Sequence, residues 1–230
     1  SGAFTADWMF ALVRTDFDAP KHEGISFVLL PMDQEGVTVK PIRLISGSSP
    51  FCETFLDNAV AAKDDLVGDL NKGWTVGKRL LQHERSMIGG MGGGQKTTSI
   101  EEYAQKYIGT DANGRVDDPV LRAQILRHRM NDRAFALTTR RAVEESATGN
   151  APGAASSMFK YYGTEQNIGK YDLLLSVLGT QSLGWTGEGF DQDELDTTRA
   201  WLRSKANSIE GGTSEVQLNI IAKRVLGLPD

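Results

Sequence analysis

Ile209-Glu210-Gly211-Gly212-Thr213-Ser214-Glu215-Val216-Gln217, close to the C-terminus, is the stretch from which the rest of the chain is read. Two adjacent glycines let the backbone turn and approach another group closely. Ser214-x-x-Gln217 then has the spacing of a capping box, the start signal of a helix. Val216, Ile220, Ile221 and Leu226 give that helix an apolar side, Lys223 and Arg224 fall in its last turn, Gly227 follows as C-cap and Pro229 stops it. A Gly-Gly turn feeding a helix N-terminus presents free N–H groups and a positive dipole end, which favour an anionic or polar ligand. The plainer alternative is an ordinary capped C-terminal helix.

Working back from that helix, the apolar period stays helical as far as Trp74. Asp193–Lys205 reads as a short helix holding Trp201, and Trp185–Gln192 as a polar loop. Ala154–Leu183 reads as a long helix carrying Met158, Tyr161, Tyr162, Leu174 and Val177, an aromatic cluster of the kind that fills cores. Asp118 caps a helix running from Pro119 to about Ser146, with proline at its first position. Leu126, Met130, Ala134 and Leu137 make that helix's expected inner stripe, and arginines 122, 127, 129, 133, 140 and 141 a solvated or interface face. Thr97–Ile108 is a short helix before the turn signal Asn113-Gly114. In Gly89-Gly90-Met91-Gly92-Gly93-Gly94, glycines cost a helix roughly 1 kcal/mol each relative to alanine. This run either breaks the helix or lets a neighbour pack closely. It matches no phosphate-loop pattern.

The helix that begins at Trp74 carries the most telling acid. Val76, Leu80, Met87 and Ile88 share one face, and Glu84 lies on it. A carboxylate on a core-facing stripe must be paired, protonated or used. Before Gly68 the period is that of strands. Trp8–Thr15, Gly24–Pro31, Gly36–Ile42 and Cys52–Asp57 read as four strands, with a Pro20-containing loop between the first two. They form an antiparallel region too small to close a barrel comfortably.

Composition is that of an ordinary soluble globular chain of 230 residues, 40% hydrophobic and 24% charged, with a net charge of −5. That charge gives no footprint for nucleic acid, and no apolar run nears the roughly 20 residues that span a bilayer. The lone Cys52 forms no internal disulfide and suits a reducing, cytoplasmic setting. His22, His83 and His128 show no metal-ligand spacing, so no metal is expected. The opening Ser-Gly-Ala-Phe suggests part of a longer protein.

I-E-G-G-T-S-E-V-Q-x-N-I-I-A-K-R-V-L-G-L-P closely resembles the C-terminal signature of acyl-CoA dehydrogenases, especially bacterial ones. In that family the Gly-Thr-Ser turn meets the flavin, and the residue two before the threonine is often the catalytic glutamate. Here that residue is Gly211, with Glu210 one place too early. L-L-Q-H-E-R-S-M, residues 80–87, resembles the L-x-x-E-R segment of isovaleryl-CoA and long-chain members, which carry the base on this earlier helix. The resemblance therefore implies Glu84 as base, with Glu210 in reserve. A-D-W-M-F-x-L-V-R-T-D followed by H-E-G-I-S-F is similar to the second half of the family's central β-domain, where Ser1 would match a flavin-bonding hydroxyl residue. The family's Arg-x-x-Phe-Gly, whose arginine reaches a neighbouring subunit's flavin pyrophosphate, is matched by Gln105-Lys106-Tyr107-Ile108-Gly109, without the arginine. Leu178–Gly184 resembles the turn near the adenosine of a neighbour's FAD.

The fold implied is α+β, a partial antiparallel β-domain at 1–68 followed by a helical domain of up-down four-helix-bundle type at 69–230. The activity implied is FAD-dependent oxidation of an acyl-CoA thioester to the 2,3-enoyl-CoA, with the α-proton taken by Glu84 and the β-hydride passing to flavin N5. The resemblance assigns Ser1, Gln105, Gly179, Gly212, Thr213 and Glu215 to FAD and Arg85 and Gly211 to substrate. It implies electron-transfer flavoprotein as acceptor and a homotetramer built as a dimer of dimers. The alternatives are a flavin-poor or non-catalytic subunit of a hetero-oligomeric acyl-CoA dehydrogenase, and a helical interaction module without enzymology. Branched, long and steroid side-chain thioesters all remain open as substrates.

Overall fold

The computed structural model describes residues 1–88, 99–149 and 153–229, and of residues 82–88 the backbone alone. The glycine run at 89–94 and the side chains of Glu84 and Arg85 lie outside the described residues. Two compact units form, Ser1–Ser86 and Met87–Asp230.

In the first unit all four expected strands are present, arranged as two antiparallel pairs. β1 (Trp8–Arg14) pairs with β2 (Ile25–Pro31) in the register Trp8↔Pro31 to Arg14↔Ile25. β3 (Val37–Ile42) pairs with β4 (Phe51–Leu56), Val37 opposite Leu56. A polar knot ties the first pair to the chain ahead of α1 (Gly73–Ile88). The fully buried Ser26 shares a hydrogen bond with Thr15 Oγ1 at 2.6 Å, its Oγ accepts from the Asn71 backbone N–H at 2.8 Å, and Thr15 donates to Asn71 Oδ1 at 2.5 Å. The buried Ser26 hydroxyl is thereby fully partnered. The first residue of α1 lies directly against β2. A side chain at Gly73 would collide with the Ser26–Phe27 backbone, Gly77 faces Leu12, and Trp74 stacks on His22 at 4.5 Å. The hydrophobic period changes near residue 68, but these contacts join α1 to the strands, and the compact units divide at Ser86.

The second unit is helical. α2 (Ile100–Tyr107) begins with a capping box, in which Ser99 Oγ accepts from the Glu102 N–H and Glu102 accepts from the Ser99 N–H. α3 (Pro119–Ala147) is capped by Asp118, which accepts from the Val120 and Leu121 N–H groups, as the sequence predicts. α4 (Ser156–Leu178) is shorter than the expected Ala154–Leu183 helix. Gly179 takes φ +55°, and a 3-10 turn runs on to Leu183. α5 spans Gln192–Ser204 and α6 Ser214–Ile220, the latter prolonged by a π turn to Val225. α4 is the central helix, touching α2, α3, α5 and α6. The core is Ile100, Tyr103, Ala104, Val116, Leu121, Ile125, Leu174, Val177 and Leu178.

The expected inner stripe of α3 is corrected. Leu121, Ile125 and Ala142 face the core, and Phe135 packs on Phe159 and Tyr162 of α4. Leu126, Met130 and Leu137 lie on the opposite face, 53%, 72% and 49% exposed, and Ala134 is exposed with them. α3 has apolar residues on two faces, and periodicity alone does not say which of them meets α4.

Candidate functional site

The Gly-Gly turn is held by bonds from both directions. Gly211 and Gly212 have φ values of +63° and +94°, a region that L side chains rarely adopt. The capping box expected at Ser214 does not form, and the N-cap lies one residue earlier. Thr213 is the N-cap, its Oγ1 accepting from the Val216 N–H at 3.2 Å, and Ser214 is the first helical residue. Gln217 turns back and donates from Nε2 to the Gly211 carbonyl at 3.1 Å. The buried face of α6 is accordingly polar, Ser214 and Gln217, while Val216 and Leu226 of the expected apolar side are exposed. At its far end the Leu226 N–H donates to the Ile221 carbonyl, and Gly227, at φ +66°, ends the helix as expected.

Upstream of the turn, Glu210 is committed. Arg203 pairs with its carboxylate, and Asn207 donates from Nδ2 to Oε2 at 3.0 Å. Asn207 in turn is bound to α4. Its carbonyl accepts from Lys160 Nζ at 3.0 Å and Thr164 Oγ1 at 3.4 Å, and its Oδ1 accepts from Asn167 at 2.9 Å. Burial lowers the Lys160 ammonium from its ordinary pKa, against the pull of Glu210, Glu165 and Glu215. Glu215 is exposed, and its own backbone N–H and the Thr213 hydroxyl hold its carboxyl below the usual range.

The other residues assigned to the flavin lie elsewhere. Gln105 is exposed near the end of α2. Its neighbour Lys106 pairs with Asp191 at 3.0 Å and lies over the Tyr107 ring, and the hydrogen bonds to Tyr107 and Asp191 raise its pKa above the ordinary lysine value. Tyr107 donates to the buried Glu194 at 2.5 Å. Burial and that bond push its hydroxyl above the ordinary tyrosine value. Gly179 starts the 3-10 turn whose Ser182 carbonyl accepts from Thr198 of α5 at 3.0 Å.

α4 and α5 run antiparallel. Lys160 meets Asn207, Asp172 accepts from Trp201 and Lys205, and Ser182 meets Thr198. Gln105 belongs to α2, whose Tyr103 and Ala104 share the core with Leu174 and Leu178 at the C-terminal end of α4, where Gly179 follows. The Gly211–Thr213 turn instead comes after Asn207, which meets Lys160 near the start of α4. With a rise of 1.5 Å per residue, the two groups are separated by roughly 25 Å of α4. Ser1 belongs to the first unit and is exposed. Glu84 and Arg85 belong to α1, with only their backbone described.

Sequence reasoning passed over Asn207, Lys160 and Arg203. The one local hint was an asparagine, a poor helix former, close to the end of α5.

The turn has the attributes of a ligand cradle. It has two glycines without side chains, a buried Ser214 Oγ with no hydrogen-bond partner among the described residues, and a capping threonine. No helix among the described residues is long and apolar enough to cross a membrane.

Residues 71–226 match the family model for the acyl-CoA dehydrogenase C-terminal domain. The chain is 33% identical over 232 residues to acyl-CoA dehydrogenase IpdE1 of Mycobacterium tuberculosis (strain ATCC 25618 / H37Rv), covering 99% of this chain and 57% of that protein. It is 32% identical to acyl-CoA dehydrogenase FadE34 of the same organism, covering 100% of this chain and 30% of that one. Among solved structures, the Tcur3481-Tcur3483 steroid ACAD matches with a TM-score of 0.83 at 27% identity, over 100% of this chain and 58% of that one. The ChsE4-ChsE5 complex from Mycobacterium tuberculosis matches with a TM-score of 0.76 at 27% identity, over 98% and 58%. The chain thus spans little more than half the length of IpdE1, and less of FadE34.

Proposed function

This chain belongs to the acyl-CoA dehydrogenase family, and from that premise we propose that the full protein oxidises an acyl-CoA thioester to its 2,3-enoyl-CoA with FAD. One observation carries the assignment of roles. The late position for a catalytic carboxylate is Gly211, and Glu210 beside it is engaged by Arg203 and Asn207. The α-proton then falls to Glu84 of α1. A base on an apolar helix face is desolvated, and desolvation raises a carboxyl pKa toward working pH. Gly211, Gly212, Thr213 and the unpartnered Ser214 hydroxyl suit a flavin held close to the backbone, with Glu215, Gln105, Gly179 and Ser1 as its further contacts. When bound, FAD supplies the two-electron acceptor for the β-hydrogen. Arg85 and the Gly211 backbone serve the thioester, and electron-transfer flavoprotein drains the electrons.

Gln105 and Gly179 lie roughly 25 Å along α4 from Gly212, Thr213 and Glu215, which favours flavin sites shared between subunits. The exposed Leu126–Met130–Leu137 stripe offers a surface for a dimer of dimers, and the assembly is proposed as a homotetramer. A second reading has its own support. Gln105 carries no charge, Lys106 is held by Asp191, and the two similar structures above are named for two chains each. In that reading this chain pairs with a non-identical subunit that completes the flavin site. The steroid ACAD likeness also favours a bulky, polycyclic acyl group over a straight chain.

The test is anaerobic titration of the full-length protein with a panel of acyl-CoAs, following flavin absorbance. Bleaching by one thioester supports the activity and names the substrate class. Glu84→Gln should then slow bleaching by 10²–10⁴-fold, the usual contribution of a positioned base, while thioester binding survives. A yellow protein that no thioester bleaches would remove Glu84 from its role. A colourless protein that takes up FAD only when mixed with a second chain would establish the heteromeric reading.

A further inference from the structure

We propose that Asn207 is a positioning residue for the flavin-side turn, setting Gly211-Gly212-Thr213 in place on α4 through Glu210. This rests on the assignment of that turn to FAD. Asn207 lies in the 3-10 turn Lys205–Ser208 that closes α5, four residues before Gly211. Its carbonyl, Oδ1 and Nδ2 are all bonded. The carbonyl accepts from Lys160 and Thr164, Oδ1 accepts from Asn167, and Nδ2 donates to Glu210. Lys160, Thr164 and Asn167 recur at i, i+4 and i+7, one face of α4. A single residue thus carries the register of the central helix, through its carbonyl and its side-chain amide, to the residue immediately before two glycines.

Glycines at φ +63° and +94° have wide conformational freedom, so their geometry must be imposed from the flanks. Downstream, Thr213 caps α6 and Gln217 holds the Gly211 carbonyl. Upstream, the Glu210 N–H donates to the Ala206 carbonyl, and its carboxylate is pinned by Arg203 and Asn207. The amide of Asn207 accepts from Asn167 at one end and donates to a carboxylate at the other, and glutamine, the other carboxamide side chain, is one methylene longer. An aspartate would keep the acceptor, lose the donor and set two carboxylates against each other.

Asn207→Asp, Glu210→Gln and the double variant in the full-length protein test this. The double variant reverses the pair, with a glutamine amide donating to an aspartate. FAD affinity of the apoprotein, read by quenching of flavin fluorescence, should fall about tenfold or more in Asn207→Asp at neutral pH, the scale of a lost hydrogen bond to a charged group. It should return toward wild type in the double variant. Wild-type affinity in Asn207→Asp, or a loss that the double variant does not relieve, would overturn the proposal. Thermal melting of the four apoproteins provides a readout that does not depend on flavin. If the wild-type protein binds no FAD, the assignment of the turn to flavin fails. Non-additive melting shifts at 207 and 210 would then still support Asn207 as holding the turn, and additive shifts would overturn it.

Discussion

Thr213, Gln217 and Gly212 show how narrowly the turn is specified. Gly212 combines a φ of +94° with a position where a Cβ would lie 2.6 Å from Gln217 Nε2. Gly212→Ala therefore strains the backbone and expels the Gln217 amide from the Gly211 carbonyl. The expected cost is about 1–3 kcal/mol by thermal melting, together with weakened flavin retention; an unchanged melting temperature would contradict it. His128 of α3 supplies a pH-dependent prediction. Burial lowers its pKa from the ordinary 6.5, Asp132 and Glu101 pull it up, and Lys170 pushes it down. Below pH 6.5 the unfolded chain takes up a proton that the folded chain resists, so stability falls as pH drops from 6.5 through the depressed folded value, then levels. His128→Gln should flatten that part of a stability-against-pH curve.

Among the elements, α3 has the clearest local logic. Asp118 binds two N–H groups of its first turn and Pro119 occupies the position where a missing N–H does no harm. Asp118→Ala should cost about 1 kcal/mol, a drop of roughly 2–4 °C in a domain of this size, while Asp118→Asn or Ser should restore most of it. The antiparallel α4–α5 pair differs, being joined by polar bonds along its length from Asn207 to Thr198. α1 is set by close approach, since Gly73 admits no side chain against Phe27 and Gly77 little against Leu12. Gly73→Ala is expected to destabilise the first unit by several times the cost of a helix-cap loss, because the obstacle is backbone that cannot move aside.

For the molecule as a whole, the question is what covers α3. Leu126, Met130 and Leu137 form a continuous apolar stripe bordered by Arg127 and Arg133. If that stripe seats another subunit, Met130→Glu should lower the sedimenting mass of the full-length assembly and reduce flavin content with it. Far-UV circular dichroism should stay unchanged, because Met130 makes no part of the core. An unaltered mass would place the subunit contact on another face. Mixing with a non-identical partner, if the heteromeric reading holds, should raise the mass of the wild-type protein and not of this variant.

Local signals were legible in the sequence because they operate within a few residues. The four strands, the Asp118 cap, the Gly227 stop and the helical period all follow from bonds and spacings inside one turn or one strand. The family signature likewise lay in one unbroken run. The tertiary structure decided what depends on contacts many residues apart. The inward face of α3 is chosen by α4, since both faces are apolar enough to be buried. The Thr213 cap prevails over Ser214 because Gln217 is drawn back to Gly211. Asn207 is a hub only because α4, some 47 positions earlier, brings Lys160 to its carbonyl. Gln105 and Gly179 are parted from Gly212 and Thr213 by most of the length of α4, a separation that no spacing along the chain displays.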